Sequence, residues 1–231
     1  YLAQQNRMVD VFERNETAIV RVKVALILKG KDEQQPKKAL RVGTGFFVSQ
    51  DGHVLTSDSL LVGGAGRVWV EHYQRFYLEE IVGRDAISNI ALLKLKEKKP
   101  PKFSFLQVTE LPGLPRPGTF VVTLSAPLQF PSSPSFGIVQ GQGSRFYNKL
   151  FPTRMLRTSV PVGPGEVGAP MLDLDGRFIG MTFASLPDLR SSCILPARAV
   201  QRIRDDLFFS GKVSYAWFGL TVKSQITVEE G

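Results

Sequence analysis

Between residues 97 and 118 the chain loses its apolar pattern, and this break constrains the fold more than any other stretch. Leu111-Pro112-Gly113-Leu114-Pro115-Arg116-Pro117-Gly118 packs three prolines and two glycines into eight residues. Proline lacks an amide hydrogen and fixes φ, so this run suits neither a helix interior nor a central strand. It reads as a connection between two halves, each built from about six short strand-like runs. The 15 prolines and 21 glycines are spread along the chain, which favours short strands and turns over long helices. With 231 residues, one large all-β unit or two small packed subdomains can bury a sizeable core.

In the first half, Val20, Val22, Val24 and Leu26 alternate with Arg21 and Lys23, so 17–28 is expected to be a strand. Gly30 to Ala39 reads as a charged, exposed loop. Strands are expected at 41–49 and 53–56, joined by the turn Gln50-Asp51-Gly52, and at 67–72, 77–84 and 90–95. The second half offers 119–124, 136–141, 154–159, 170–173 and 177–183, and a strand at Ile194-Leu195-Pro196. Asp173-Leu174-Asp175-Gly176 is a hairpin turn. Helical spacing places Leu2, Met8, Val9 and Phe12 on one short N-terminal helix over 2–14. A second helix, 197–209, carries Val200, Ile203 and Leu207 on one face and is stopped by Gly211. Trp217 to Val222 is one more strand-like run.

Lys and Arg number 29 against 21 Asp and Glu, a net charge of +8 that reads as a solubilising surface. Lys94, Lys96, Lys98, Lys99 and Lys102 form a basic cluster without interleaved aromatics, which argues against nucleic-acid binding. Cys193 is the only cysteine, so no internal disulfide exists, and it is expected to be a buried structural thiol. With two histidines and one cysteine, a His/Cys metal site has little to work with, and no metal or cofactor is expected. No 18-residue apolar run is present, which excludes a transmembrane helix.

Gly163-Pro164-Gly165-Glu166-Val167-Gly168-Ala169-Pro170-Met171 has the layout of a serine-nucleophile loop in which Val167 stands at the nucleophile's place. Other stretches fit the same pattern. Gly43 to Gly52 resembles the opening signature of HtrA/DegP-type serine proteases. Val54 to Leu61 resembles the segment that carries their catalytic histidine, and Ser88 to Leu95 the segment that carries their aspartate. Residues 155–171 resemble the run into their nucleophile, and Asp175 to Gly180 and Ile194 to Ala197 continue it. The resemblance covers roughly residues 5–223.

It implies a trypsin-like double β-barrel with short N-terminal and C-terminal helices. The protease-homology domain would span 1–211, with barrel one at about 16–100, barrel two at about 116–196 and the closing helix within 197–211. Residues 212–231 would be a linker and the start of a truncated PDZ-like domain.

By the same resemblance the family's histidine falls on Ser59, its aspartate on Asn89 and its serine on Val167. A triad needs a hydroxyl nucleophile, an imidazole base and a carboxylate that orients the imidazole. A serine hydroxyl holds its proton too tightly to act as a base at neutral pH, asparagine brings no charge, and valine has no lone pair. The expectation is a degenerate triad with no catalytic residue, in a pseudoprotease that binds peptides or proteins or acts as a scaffold. The rival readings are a residual serine-type endopeptidase with relocated groups and a regulatory partner of an active paralogous protease.

Gly165, Glu166 and Val167 are the remnant of the oxyanion loop, expected to have relaxed, with the Glu166 carboxylate turned outward. Val167 would either fill the vacated specificity pocket or leave a cleft that still takes an extended peptide by strand addition. Ser57 and Asp58 read as a turn or helix-start pair, His53 as a strand-end residue and His72 as an exposed turn residue. Resemblance further implies a homo-oligomer, a trimer formed through residues 1–14. It also implies an extracytoplasmic setting, the bacterial periplasm, reached by a signal or anchor outside this chain.

Overall fold

The computed structural model describes residues 2–28, 37–63, 65–97, 101–146 and 149–215. Trp217 to Val222, Lys98, Lys99 and most of the expected loop at Gly30–Ala39 lie outside them; Lys37, Lys38 and Ala39 belong to a strand.

Twelve strands form two closed six-stranded antiparallel barrels. The first contains β1 (Ile19–Leu28), β2 (Lys37–Phe47), β3 (His53–Ser57), β4 (Ala65–His72), β5 (Arg75–Asp85) and β6 (Ile90–Leu95), closed by β1 pairing with β4. The second contains β7 (Phe120–Ser125), β8 (Ser133–Phe146), β9 (Lys149–Thr158), β10 (Pro170–Asp173), β11 (Phe178–Leu186) and β12 (Ser191–Pro196), closed by β7 pairing with β10. Helix α1 (Leu2–Asn15) leads into the first barrel, and α2 (Ala197–Ser210) follows the second. Gly211 ends α2 in the left-handed conformation, at φ 70°, which glycine adopts without side-chain strain.

Strand alternation sorts the core into three regions. Val20, Val22, Val24, Phe47, Val54 and Leu93 fill barrel one, while Val121, Val139, Leu156, Met171, Ile179 and Ile194 fill barrel two. The opposite faces of the same strands supply Ile19, Phe46, Leu55, Leu92, Val122, Leu124 and Phe178 to a larger core between the barrels. Helix α2 seals this third region with Val200, Ile203 and Leu207.

The proline-rich connection is pinned rather than loose. Phe103 stacks on Phe47 with ring centroids 4.2 Å apart, and Leu106 and Val108 are buried between the barrels. The Arg204 guanidinium donates to the Val108 carbonyl at 3.0 Å, so α2 holds the connection as well.

Two turns follow their sequence signals. Gly52 takes φ 91° between β2 and β3. Asp173 Oδ1 accepts the N–H groups of Asp175 and Arg177, both at 2.9 Å, and fixes the β10–β11 hairpin. Strand β8 is longer than the expected 136–141. Gln140-Gly141-Gln142-Gly143 carries no apolar alternation, yet it pairs with β9 across two register shifts. Pairing with a neighbouring strand decides its conformation where side-chain pattern is silent.

Candidate functional site

The three positions singled out by resemblance converge where the barrels meet. Strand β3 ends at Ser57, and a 3-10 turn, Asp58–Leu60, carries Ser59 to the surface. Asn89 closes the β5–β6 turn at φ 57°, a left-handed conformation that asparagine tolerates better than most residues. Its Oδ1 accepts both the Ser57 hydroxyl and the Ser59 N–H, each at 2.8 Å. Its amide nitrogen donates across to the Phe183 carbonyl of barrel two at 3.0 Å. The Ser57 and Ser59 hydroxyls lie 2.8 Å apart and share a hydrogen bond. The Asn89 carbonyl accepts the Asp58 N–H at 3.1 Å, so the two turns are joined through backbone as well.

Val167 reaches the same place from barrel two. Its carbonyl accepts the Thr44 N–H at 2.9 Å, and its side chain packs against the core of barrel one. Gly168 has φ 89°, and a side-chain carbon there would fall 2.4 Å from the Thr44 carbonyl oxygen and 2.9 Å from the Ser57 nitrogen. Only glycine allows so close an approach of the loop to β2 and β3. The valine side chain is thereby held against barrel one.

The loop 163–168 is tied down by side chains, and Glu166 does not face outward as expected. Its carboxylate accepts the Gly163 N–H at 2.6 Å and the Ser125 hydroxyl at 2.9 Å. Thr44, fully buried, donates its hydroxyl to the Gly165 carbonyl at 2.8 Å and accepts the Ala126 N–H at 3.0 Å. Carboxylate and hydroxyl satisfy backbone groups that water would otherwise have to reach, and this holds the loop in place. The N–H groups of Gly165 and Val167 donate to no acceptor among the described residues.

The remaining candidates are engaged elsewhere. Asp58 is buried, and its carboxylate pairs with the Arg84 Nε at 2.6 Å. His53 sits at the far end of β3, about 13 Å along the strand from Ser57 at the usual rise. Its Nδ1 shares a hydrogen bond with the Ser49 hydroxyl at 2.8 Å, and its ring lies edge-on to Phe208 of α2. His72 is half-buried, not exposed as expected, with Nε2 2.9 Å from the Thr17 carbonyl and its ring against Phe47. Burial lowers the pKa of both imidazoles, and the Lys94 charge adds to the lowering at His53. Cys193 is buried in the core between the barrels, and burial pushes its thiol up to about 11.

Chemically, the meeting point offers two hydroxyls, an amide, an isopropyl group and two unpaired backbone donors. It holds no imidazole. Two carboxylates on the same segments, Asp58 and Glu166, are committed to Arg84 and to the loop's own backbone. Such a set can hold a carbonyl oxygen and pack an apolar side chain. Reading the sequence missed Thr44, Ser125 and the Phe183 carbonyl. The glycines on either side of Thr44 were the one available sign that backbone approaches closely there.

A family profile described as "Trypsin-like peptidase domain" matches residues 43–181. A probable periplasmic serine endoprotease, DegP-like, from Pseudomonas fulva is 29% identical over 192 residues, covering 81% of this chain and 39% of the relative. A protein of the same description from Chlamydia trachomatis is 26% identical over 199 residues, covering 84% of this chain and 39% of the relative. The chain thus spans about two fifths of the length of these curated relatives. Among solved structures, the HtrA-type protease AlgW with decapeptide superposes with a TM-score of 0.76 at 19% identity, over 94% of this chain and 72% of that one.

Proposed function

This chain belongs to the trypsin-like peptidase family and resembles its HtrA/DegP-type members, and from that premise we propose that it is a non-proteolytic homologue that binds extended peptide or protein segments. The observation that carries the reading is the Ser57–Ser59–Asn89 network facing Val167. At those positions the chemistry of peptide hydrolysis requires a base, its orienting carboxylate and a nucleophile. A hydroxyl, an amide and an isopropyl group stand there instead.

Binding survives such replacements more readily than catalysis does. The 163–168 loop stays strapped to Thr44, Ser125 and Gly163, so its two unpaired N–H groups can receive a carbonyl oxygen of a passing chain. The similar AlgW structure is described with a decapeptide, which supports a peptide as the class of ligand. The relatives are named as periplasmic proteases, which supports an extracytoplasmic setting, and no helix among the described residues is long and apolar enough to cross a membrane. A relocated triad built on His53 or His72 finds no support, because both rings bond to residues away from Ser59, Asn89 and Val167.

The test treats the purified protein with a fluorophosphonate probe and with unfolded casein, and titrates it with a fluorescent unfolded peptide. The expected result is no label, no cleavage and saturable binding that competes with unlabelled peptide. Protein-dependent cleavage that persists through repurification overturns the reading, as does the absence of any saturable binding.

A further inference from the structure

A concavity of about 650 Å³ lies away from Ser59, Asn89 and Val167. It opens between α1, the β4–β5 turn and the 126–132 segment that joins β7 to β8. We propose that it is a second binding site, one that takes an aromatic side chain of a peptide segment.

Aromatic rings dominate its apolar lining. Phe12 comes from α1, Tyr73 from the β4–β5 turn and Phe130 from the opposite segment. Tyr73 and Phe130 are each 67% exposed, well beyond what packing within this chain explains. Tyr73 is also held at a conformational cost. It and Gln74 form a two-residue turn with φ 47° and 63°, which non-glycine side chains rarely adopt. Flat rings stack or meet edge-on with other rings and gain more from them than from branched aliphatic groups of equal area.

The floor is built from paired charges. Arg21 Nη1 donates to Glu71 at 2.9 Å, Lys23 pairs with the same carboxylate at 2.6 Å, and Arg21 also donates to the Phe130 carbonyl. These ion pairs are largely shielded from water, with side-chain exposures of 11% for Arg21 and 12% for Glu71. They fix the Phe130 segment against β1, and their charges are directed at one another. Glu16 makes no ion pair among the described residues, and its charge helps raise the Tyr73 hydroxyl after burial. Gln74, Gln129 and Ser132 supply amide and hydroxyl groups able to bond the backbone on either side of an inserted ring. An unpaired carboxylate at this cavity disfavours an acidic neighbour in the peptide.

The site stands apart from the proposed cleft, yet shares a segment with it. A side-chain carbon on Gly165 would fall 2.5 Å from the Leu128 nitrogen, so the segment under Phe130 also touches the 163–168 loop.

The experiment titrates the whole chain with N-acetyl-phenylalaninamide, N-acetyl-leucinamide and N-acetyl-aspartyl-phenylalaninamide and follows backbone amide chemical shifts. The expected result is saturable, weak binding of the phenylalanine probe, read at Tyr73, Gln74 and Gln129. Leucine and the acidic dipeptide should bind at least several-fold more weakly. Tyr73→Ala and Phe130→Ala, both at exposed positions, should each weaken the phenylalanine probe by about fivefold to tenfold. The proposal is overturned if no saturable shift appears at these amides, or if leucine binds equally well. It is also overturned if shifts are confined to residues 59, 89 and 163–168, or if neither variant changes the affinity.

Discussion

Asn89 shows how much one side chain can join across two barrels. Its carbonyl oxygen accepts two bonds from the Ser57–Ser59 turn, and its NH₂ reaches the Phe183 carbonyl of the other barrel. A carboxylate could accept the first two bonds but would face the Phe183 carbonyl with another acceptor. Asn89→Ala removes all three and places alanine at positive φ, so a loss of about 2 kcal/mol is expected by urea denaturation. Val167→Ser tests the opposite residue. A hydroxyl restored there has no imidazole to take its proton, since His53 and His72 are bonded elsewhere, so the variant should remain unlabelled by fluorophosphonate. Labelling of that single variant would show that another group supplies the base.

At the scale of elements, the 163–168 loop is fixed by contacts that sequence could only partly announce. Its glycines mark a backbone that comes close to something, and Gly168 indeed lies against Thr44 and Ser57. Which partner it meets depends on β2 from the other barrel, more than a hundred residues away, and no local pattern encodes that. Glu166 illustrates the same limit, because its exposure depends on whether Ser125 and the Gly163 N–H are within reach. The β10–β11 hairpin was legible because Asp173, Asp175 and Gly176 form the turn on their own. The far end of β8 was not, because only β9 makes it a strand. Gly168→Ala combines positive φ with a backbone collision and should cost about 3 kcal/mol, measured by thermal or urea unfolding. Glu166→Ala should leave the barrels folded while speeding amide exchange at Gly163 by about tenfold or more, since that N–H loses its acceptor.

For the molecule as a whole, the two histidines give folding stability a defined acid limb. Burial lowers both pKa values below 6.5, so in that region the unfolded chain binds protons that the native chain resists. Their contribution is complete above 6.5 and is lost as pH falls through the folded values. Unfolding free energy should therefore be flat from neutral pH upward as far as these groups are concerned, and decline on the acid side. His72→Phe should flatten part of that decline; an unchanged slope in urea titrations across the window would refute the assignment. The two-barrel architecture itself was readable from the proline-rich break and the strand runs on each side. The exposure of His72 was not, because Thr17 and Phe47 cover it only once β4 has closed onto β1.

That closure has a consequence for how the chain comes into being. Among the described residues every strand pairing stays within one barrel: the strands between 19 and 95 form the first, and those between 120 and 196 form the second. As the chain emerges from a ribosome, the first barrel has all its partners before the second has been made. Ser57, Ser59 and the Asn89 side-chain oxygen then have one another as partners, while Thr44 and the Asn89 amide nitrogen wait for Gly165, Ala126 and Phe183. Gly165 to Gly168 come from the later half and dock onto strands that preceded them. The proposed binding cleft is assembled in time as well as in space, with the older barrel setting the shape that the younger loop must fit.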